Sequence, residues 1–282
     1  MLQGNAKGAV WHDENMLEPS RRIPDPAKPT PSRRKRWLGL AALCAVLAAL
    51  AVGAWAVATG RVEIPERFNP WAPLDVMAPP NWLTGFRLSR ARTEPARCLA
   101  ALAQTGMQYD LLPDRVTAPG CGFQNAVRLR SAGVRLGTAP SLSCPMALSF
   151  FMWERHALQP AAMQRFGQPV AAIDHLGSYA CRNVNRGEGT VPGASRSRHA
   201  TADALDVAAL TLADGRRITV LQAWPRSGAA DAASSTNDPA ALLLLDAHRG
   251  ACRYFNGVLG PDYNAAHRDH LHLETGGYDM CR

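Results

Sequence analysis

Twenty-one uncharged residues run from Leu38 to Ala58, directly behind Arg33-Arg34-Lys35-Arg36 and Trp37. A run of that length crosses a ~30 Å hydrocarbon core as a helix. A basic cluster on its N-terminal flank holds that flank in the cytoplasm. The chain is thereby divided into a cytoplasmic head (1–36), a transmembrane anchor (37–59) and an exported remainder. The competing reading is a cleaved signal peptide, because Ala54-Trp55-Ala56 and Ala56-Val57-Ala58 resemble small-residue cleavage sites. A signal core is usually about 7–15 residues long. This run is longer and stands behind a 36-residue head, which favours a retained anchor. Both readings export residues 61–282.

The head carries five prolines between Pro19 and Pro31, and eight Lys/Arg against four Asp/Glu. It has too little apolar surface to offset its ordering entropy and is expected to be disordered. It also holds half of the net charge of +8. The remaining charge is spread thinly, with no basic stripe interleaved with aromatics, so no nucleic-acid partner is expected. A weakly basic surface suits an anionic polymer instead. Residues 60–94 contain recurrent prolines (Pro65, Pro70, Pro73, Pro79, Pro80) and no sustained period. They read as a semi-extended linker holding a domain, 95–282, off the membrane.

That domain contains Cys98, Cys121, Cys144, Cys181, Cys252 and Cys281. Six cysteines in an exported domain imply three disulfides formed in an oxidising compartment. Their connectivity is not readable from sequence; sequence neighbours are the favoured partners, for instance Cys98 with Cys121. Patterning predicts a helix over Pro95–Gln104, strands near Tyr109–Leu112 and Ala126–Leu129, and a helix from Pro145 that Pro160 kinks or restarts. Further strands are expected at Val170–Ile173, Leu205–Leu212 and Arg217–Ala223. The last two flank a turn at Ala213-Asp214-Gly215. A helix over Asp238–Cys252 and a strand over His270–Glu274 complete the pattern. Short strands mixed with helices, without a regular βαβ rhythm, imply an α+β fold. There is no internal repeat and no phosphate-binding glycine loop.

Two segments carry chemistry. The first runs from Ser197 through His199 to Asp206; the second is His267-Arg268-Asp269-His270-Leu271-His272-Leu273-Glu274. On a strand, His270, His272 and Glu274 share one face while Leu271 and Leu273 enter the core. A catalytic zinc takes three protein ligands from His and Asp/Glu and keeps one position open. His199, Asp206 and one late histidine supply that set. Asp269 or another histidine of the cluster is available as the proton acceptor. Trp153, Phe150 and Phe151 read as core, and His156, His175 and His248 as structural.

The first segment resembles the S-x-H-x-x-G-x-A-x-D motif of zinc D-Ala-D-Ala carboxypeptidases and endolysin peptidases, with Ser197, His199, Ala204 and Asp206 at matching positions. The second is similar to their closing motif through Asp269 and His272. Its His267, His270, His272 spacing is similar to that of penicillin-insensitive murein endopeptidases. A closer resemblance is to the bacterial extensin-like C-terminal domain. It covers roughly residues 75–282 and rests on Ser143–Met146, Gly177–Arg182, His199–Asp206, Val258–Asn264 and Cys281-Arg282.

These resemblances imply a hedgehog/DD-peptidase-like antiparallel sheet with flanking helices. They also imply Zn²⁺ held by His199, Asp206 and His272, and Asp269 as general base. Arg182 is the nearest candidate to support the substrate carbonyl, and His270 and His267 are further catalytic candidates, as proton acceptor or substrate contact. The implied activity is peptidoglycan stem-peptide or cross-link hydrolysis in the periplasm, on a domain anchored in the inner membrane. The alternative is an inactive wall-binding or envelope-organising module of the same fold. Ala202 stands where the peptidases carry glycine, from which a differently shaped loop after His199 is expected. Asp203 is expected to add an unmatched charge.

Overall fold

The computed structural model describes residues 33–62, 64–184, 195–225 and 237–282. The disorder expected of the head falls almost wholly outside the described residues. The chain forms two units, Met1–Glu63 and Ile64–Arg282. In the first, helix α1 (Arg33–Ala58) is long and apolar enough to cross a bilayer, with mean hydropathy 2.4 and no buried residue in its apolar window. Those properties suit a membrane span and a signal sequence alike.

The second unit starts earlier than the sequence suggests. Residues 64–93, read above as a spacer, fold onto the domain. Leu74, Val76, Leu83 and Leu88 are buried, and α2 (Thr84–Thr93) packs beside α3 (Pro95–Leu102). Prolines break the helical period without preventing burial of the aliphatic residues between them. The buried Arg87 holds the segment in place by donating to the backbone carbonyls of Glu66 and Asn69.

After α3 come β1 (Gln108–Leu112), β2 (Arg115–Ala118), β3 (Cys121–Phe123), β4 (Ala126–Ser131), β5 (Arg135–Leu136) and β6 (Ser141–Ser143). Strands β1, β4 and β6 make a small antiparallel sheet, and β2 and β3 make a hairpin. Helix α4 (Cys144–Trp153) is capped by the Ser143 hydroxyl and buried along its length. A π-helical turn, Glu154–Leu158, joins it to α5 (Gln159–Phe166). The wider turn accommodates Pro160, which lacks an N–H and crowds the preceding carbonyls. Instead of breaking there, the helix continues.

The principal sheet uses β7 (Val170–Gly177), β8 (Ala204–Leu212), β10 (Gly257–Leu259), β11 (Leu271–Glu274) and β12 (Met280–Cys281). Its order is β12-β10-β11-β8-β7-β5, with β9 (Arg217–Thr219) paired to β8. The central pairings are antiparallel, but β5 with β7 and β10 with β12 are parallel, so the sheet is mixed rather than purely antiparallel. The strand expected over Arg217–Ala223 stops at Thr219, whose hydroxyl caps the short helix α6 (Val220–Ala223). Helix α7 (Pro239–Ala251) begins at the Asp238 cap. The Trp153 indole donates to the Ala247 carbonyl at 2.9 Å and so joins α4 to α7.

Three disulfides close the domain: Cys98–Cys144, Cys121–Cys181 and Cys252–Cys281. Cys98 therefore does not pair with its sequence neighbour Cys121. Packing sets Cys98 of α3 against the start of α4, and the β2–β3 hairpin carries Cys121 to Cys181. Proximity along the chain predicts only the last pair.

Candidate metal centre

Cross-strand register builds the site. On adjacent antiparallel strands β11 and β8, His272 lies directly opposite Asp206, so their side chains leave one face of the sheet as neighbours. Leu271 and Leu273 turn the other way and are buried. His199 arrives from a 3₁₀ turn, Arg198–Thr201, and its own amide donates to the Ser197 hydroxyl. Ala202 closes that turn in the left-handed conformation, with φ 60° and ψ 24°. The glycine-type backbone is thus present without glycine. Asp203 accepts a hydrogen bond from the Thr201 hydroxyl at 2.6 Å, and burial pushes its carboxyl up.

The three expected ligands converge. Asp206 Oδ1 lies 2.8 Å from His272 Nδ1, Asp206 Oδ2 lies 3.2 Å from His199 Nε2, and the two ring nitrogens are 3.3 Å apart. All three residues are buried. Ligands about 2.0–2.1 Å from a tetrahedral zinc sit about 3.3 Å from one another. Two imidazole nitrogens and a carboxylate are also a suitable donor set, so these residues fit the ion.

The histidine cluster surrounds this triad in distinct ways. His272 Nε2 donates to Glu274 Oε2 at 2.9 Å, which leaves Nδ1 facing the triad. Burial alone would push His272 down, but the Asp206 and Glu274 carboxylates raise it to about 9. Burial would raise Asp206, yet hydrogen bonds from His199 and His272 hold it far below the usual carboxylate range. His270 Nδ1 is bonded to Asp269 Oδ1 at 2.9 Å, and its Nε2 lies 3.5 Å from Asp206 Oδ1. Asp269 therefore sits behind His270. His267 Nδ1 is held by Asn264 Oδ1 at 2.8 Å. Burial, then the neighbouring His272 and His270, lower its pKa to about 4.

Asp206, His267, His270, His272 and Glu274 line an open cleft of about 820 Å³ together with Arg182, Arg198, Tyr263 and Tyr278; His199 and Asp269 are not on its wall. Arg182 is brought beside the first ligand because Ser197 N–H donates to its carbonyl, while the Cys121–Cys181 bond anchors the residue before it. A wider groove of about 1270 Å³ around Met77, Arg130 and Glu154 contains none of the triad. His156, His175 and His248 each engage a backbone carbonyl away from the triad. Sequence reading gave Glu274 a shared face with His272 but no role. Its signal was the two-residue spacing on one strand. Asn264 and Gly257, which supports Glu274, carried no comparable signal.

A family model described as extensin-like protein C-terminus matches residues 96–282. Neither the curated proteins nor the solved structures contain a match to the chain.

Proposed function

This chain belongs to the family described as extensin-like protein C-terminus, and on that premise we propose that it is a zinc-dependent peptidase of peptidoglycan, hydrolysing stem peptides or their cross-links. The convergence of His199, Asp206 and His272, with Asp206 and His272 on the wall of an open cleft, carries the reading. The same triad, with its linear motifs, supports kinship with the hedgehog/DD-peptidase fold. Zinc bound there would supply a Lewis acid for the scissile carbonyl and make a water nucleophilic near neutral pH.

The chain's own residues perform the remaining tasks. Asp269 accepts the Nδ1 proton of His270, which leaves Nε2 as a base facing the site. His270 takes the proton of the attacking water and returns it to the departing amine. Asp269 thus works through His270 rather than directly. Arg182 offers guanidinium donors to the carbonyl oxygen as charge develops on it. Neutral His267, fixed by Asn264, presents Nε2 as an acceptor for a substrate N–H. Three disulfides suit an oxidising periplasm, and α1 would hold the domain on the outer face of the inner membrane.

The test is incubation of the full chain with purified sacculi, with and without a chelator, followed by mass spectrometry of the products. The expected result is about one zinc per chain, newly cleaved peptides, and loss of both in His199→Ala. A zinc-loaded chain that binds sacculi and releases nothing would instead establish a wall-binding module.

A further inference from the structure

We propose that Phe68, Trp71, Trp82 and Phe86, with Arg67 and Arg90, form a face by which the domain lies on the lipid bilayer. The segment between residues 64 and 93 sorts its apolar side chains by kind. Its aliphatic residues Leu74, Val76, Leu83 and Leu88 are buried, whereas Phe68, Trp71, Trp82 and Phe86 are 49–75% exposed. Among the described residues of the unit Ile64–Arg282, these four are the only exposed Trp or Phe. Trp153, Trp224, Phe150, Phe151 and Phe255 all lie inside. A surface that concentrates every exposed Trp and Phe among the described residues of this unit in one short segment calls for a partner.

The four residues form one patch. Arg87 clamps Glu66 and Asn69, and Arg90 donates to the Pro70 carbonyl at 3.3 Å, which lays the segment around Phe68–Trp71 along α2. Arg90 also covers the Phe86 ring at 5.9 Å and borders a small groove with Trp71. Trp82 stands just before α2, four positions ahead of Phe86 in its first turn. Arg67 stacks over Phe68 at 4.8 Å.

The composition identifies the occupant. Tryptophan and phenylalanine with adjacent guanidinium groups match the headgroup region, where amphipathic rings settle and anionic phosphates attract arginine. The chain supplies the proximity. Phe68 follows the end of the apolar helix at Ala58 by ten residues, a reach of at most about 35 Å. A bilayer crossed by α1 is within that reach, and the contact does not depend on the metal centre.

The test uses the full chain in bilayers, with Trp11→Phe, Trp37→Phe and Trp55→Phe introduced so that neither the head nor α1 emits tryptophan fluorescence. Phospholipids brominated just below the headgroup should quench part of the remaining emission. Adding Trp71→Phe and Trp82→Phe should abolish that quenching, and near-UV circular dichroism should show an unchanged core. Arg67→Gln with Arg90→Gln, which leaves both tryptophans, should reduce quenching in anionic bilayers. Absence of quenching in the first protein overturns the proposal. So does quenching that persists without Trp71 and Trp82. Unquenched emission together with sacculus binding that needs these aromatics would assign the face to the wall polymer and equally overturn it.

Discussion

Replacing Gly257 by alanine tests whether Glu274 holds His272 in the orientation proposed for metal binding. Gly257 lies opposite Glu274 across the β10–β11 pair. A Cβ built there falls 2.4 Å from Glu274 Cγ, 2.7 Å from Oε1 and 2.8 Å from Cδ. Ordinary carbon contacts are about 3.5–4.0 Å, so the overlap exceeds 1 Å by roughly that measure. Both residues are held by strand pairing, and the side chain of Glu274 is the part free to move. Its rotation breaks the 2.9 Å bond to His272 Nε2. Loss of such an outer partner typically weakens a metal site about 10–100-fold, equivalent to about 1.4–2.7 kcal/mol. Competition with a zinc chelator should show that loss in Gly257→Ala and a similar one in Glu274→Ala. The combined variant should be no weaker than Glu274→Ala alone, because the two changes remove one contact. Unchanged zinc affinity in Gly257→Ala with only a lowered melting temperature would refute the reasoning, as would two losses that simply add.

Three further outcomes follow from packing and charge. Burial pushes the Glu154 carboxyl up. A carboxyl whose folded pKa exceeds its unfolded value favours folding below that unfolded value and opposes it as pH rises through the folded one. Glu154→Gln should therefore raise the melting temperature at pH 7, with a gain that vanishes near pH 4; a pH-independent gain would count against this. Removing the Cys121–Cys181 bond, which closes a 60-residue separation, should cost up to roughly 4 kcal/mol in denaturant titration. Gly250→Ala would place a methyl 2.6 Å from Ala157 Cβ, where α7 meets the π-helical turn. Overpacking there should cost about 1–3 kcal/mol, and a stability unchanged in denaturant would show that the helices part freely.

Features set by neighbours along the chain were legible in the residues themselves. The apolar run marked α1 by length and charge alone. Pro145 and Pro239 stood at helix starts, and Asp238 did cap α7. Alternation over His270–Glu274 correctly separated the polar face from Leu271 and Leu273. Part of the converging triad was legible through linear motifs, because His199 and Asp206 belong to one short segment.

What depends on distant segments meeting was decided only by the tertiary structure. His199 and His272 are 73 residues apart, and the pairing of β8 with β11 brings them together. Helix packing, not chain distance, selected Cys144 as the partner of Cys98. A proline-rich stretch proved to be part of the domain because its aliphatic residues found a buried place against α4 and its neighbours. Local sequence specifies propensity and polarity along one element. Which elements touch is settled by the burial and hydrogen bonding of the whole fold, and the cluster of His199, Asp206 and His272 exists only as a consequence of that choice.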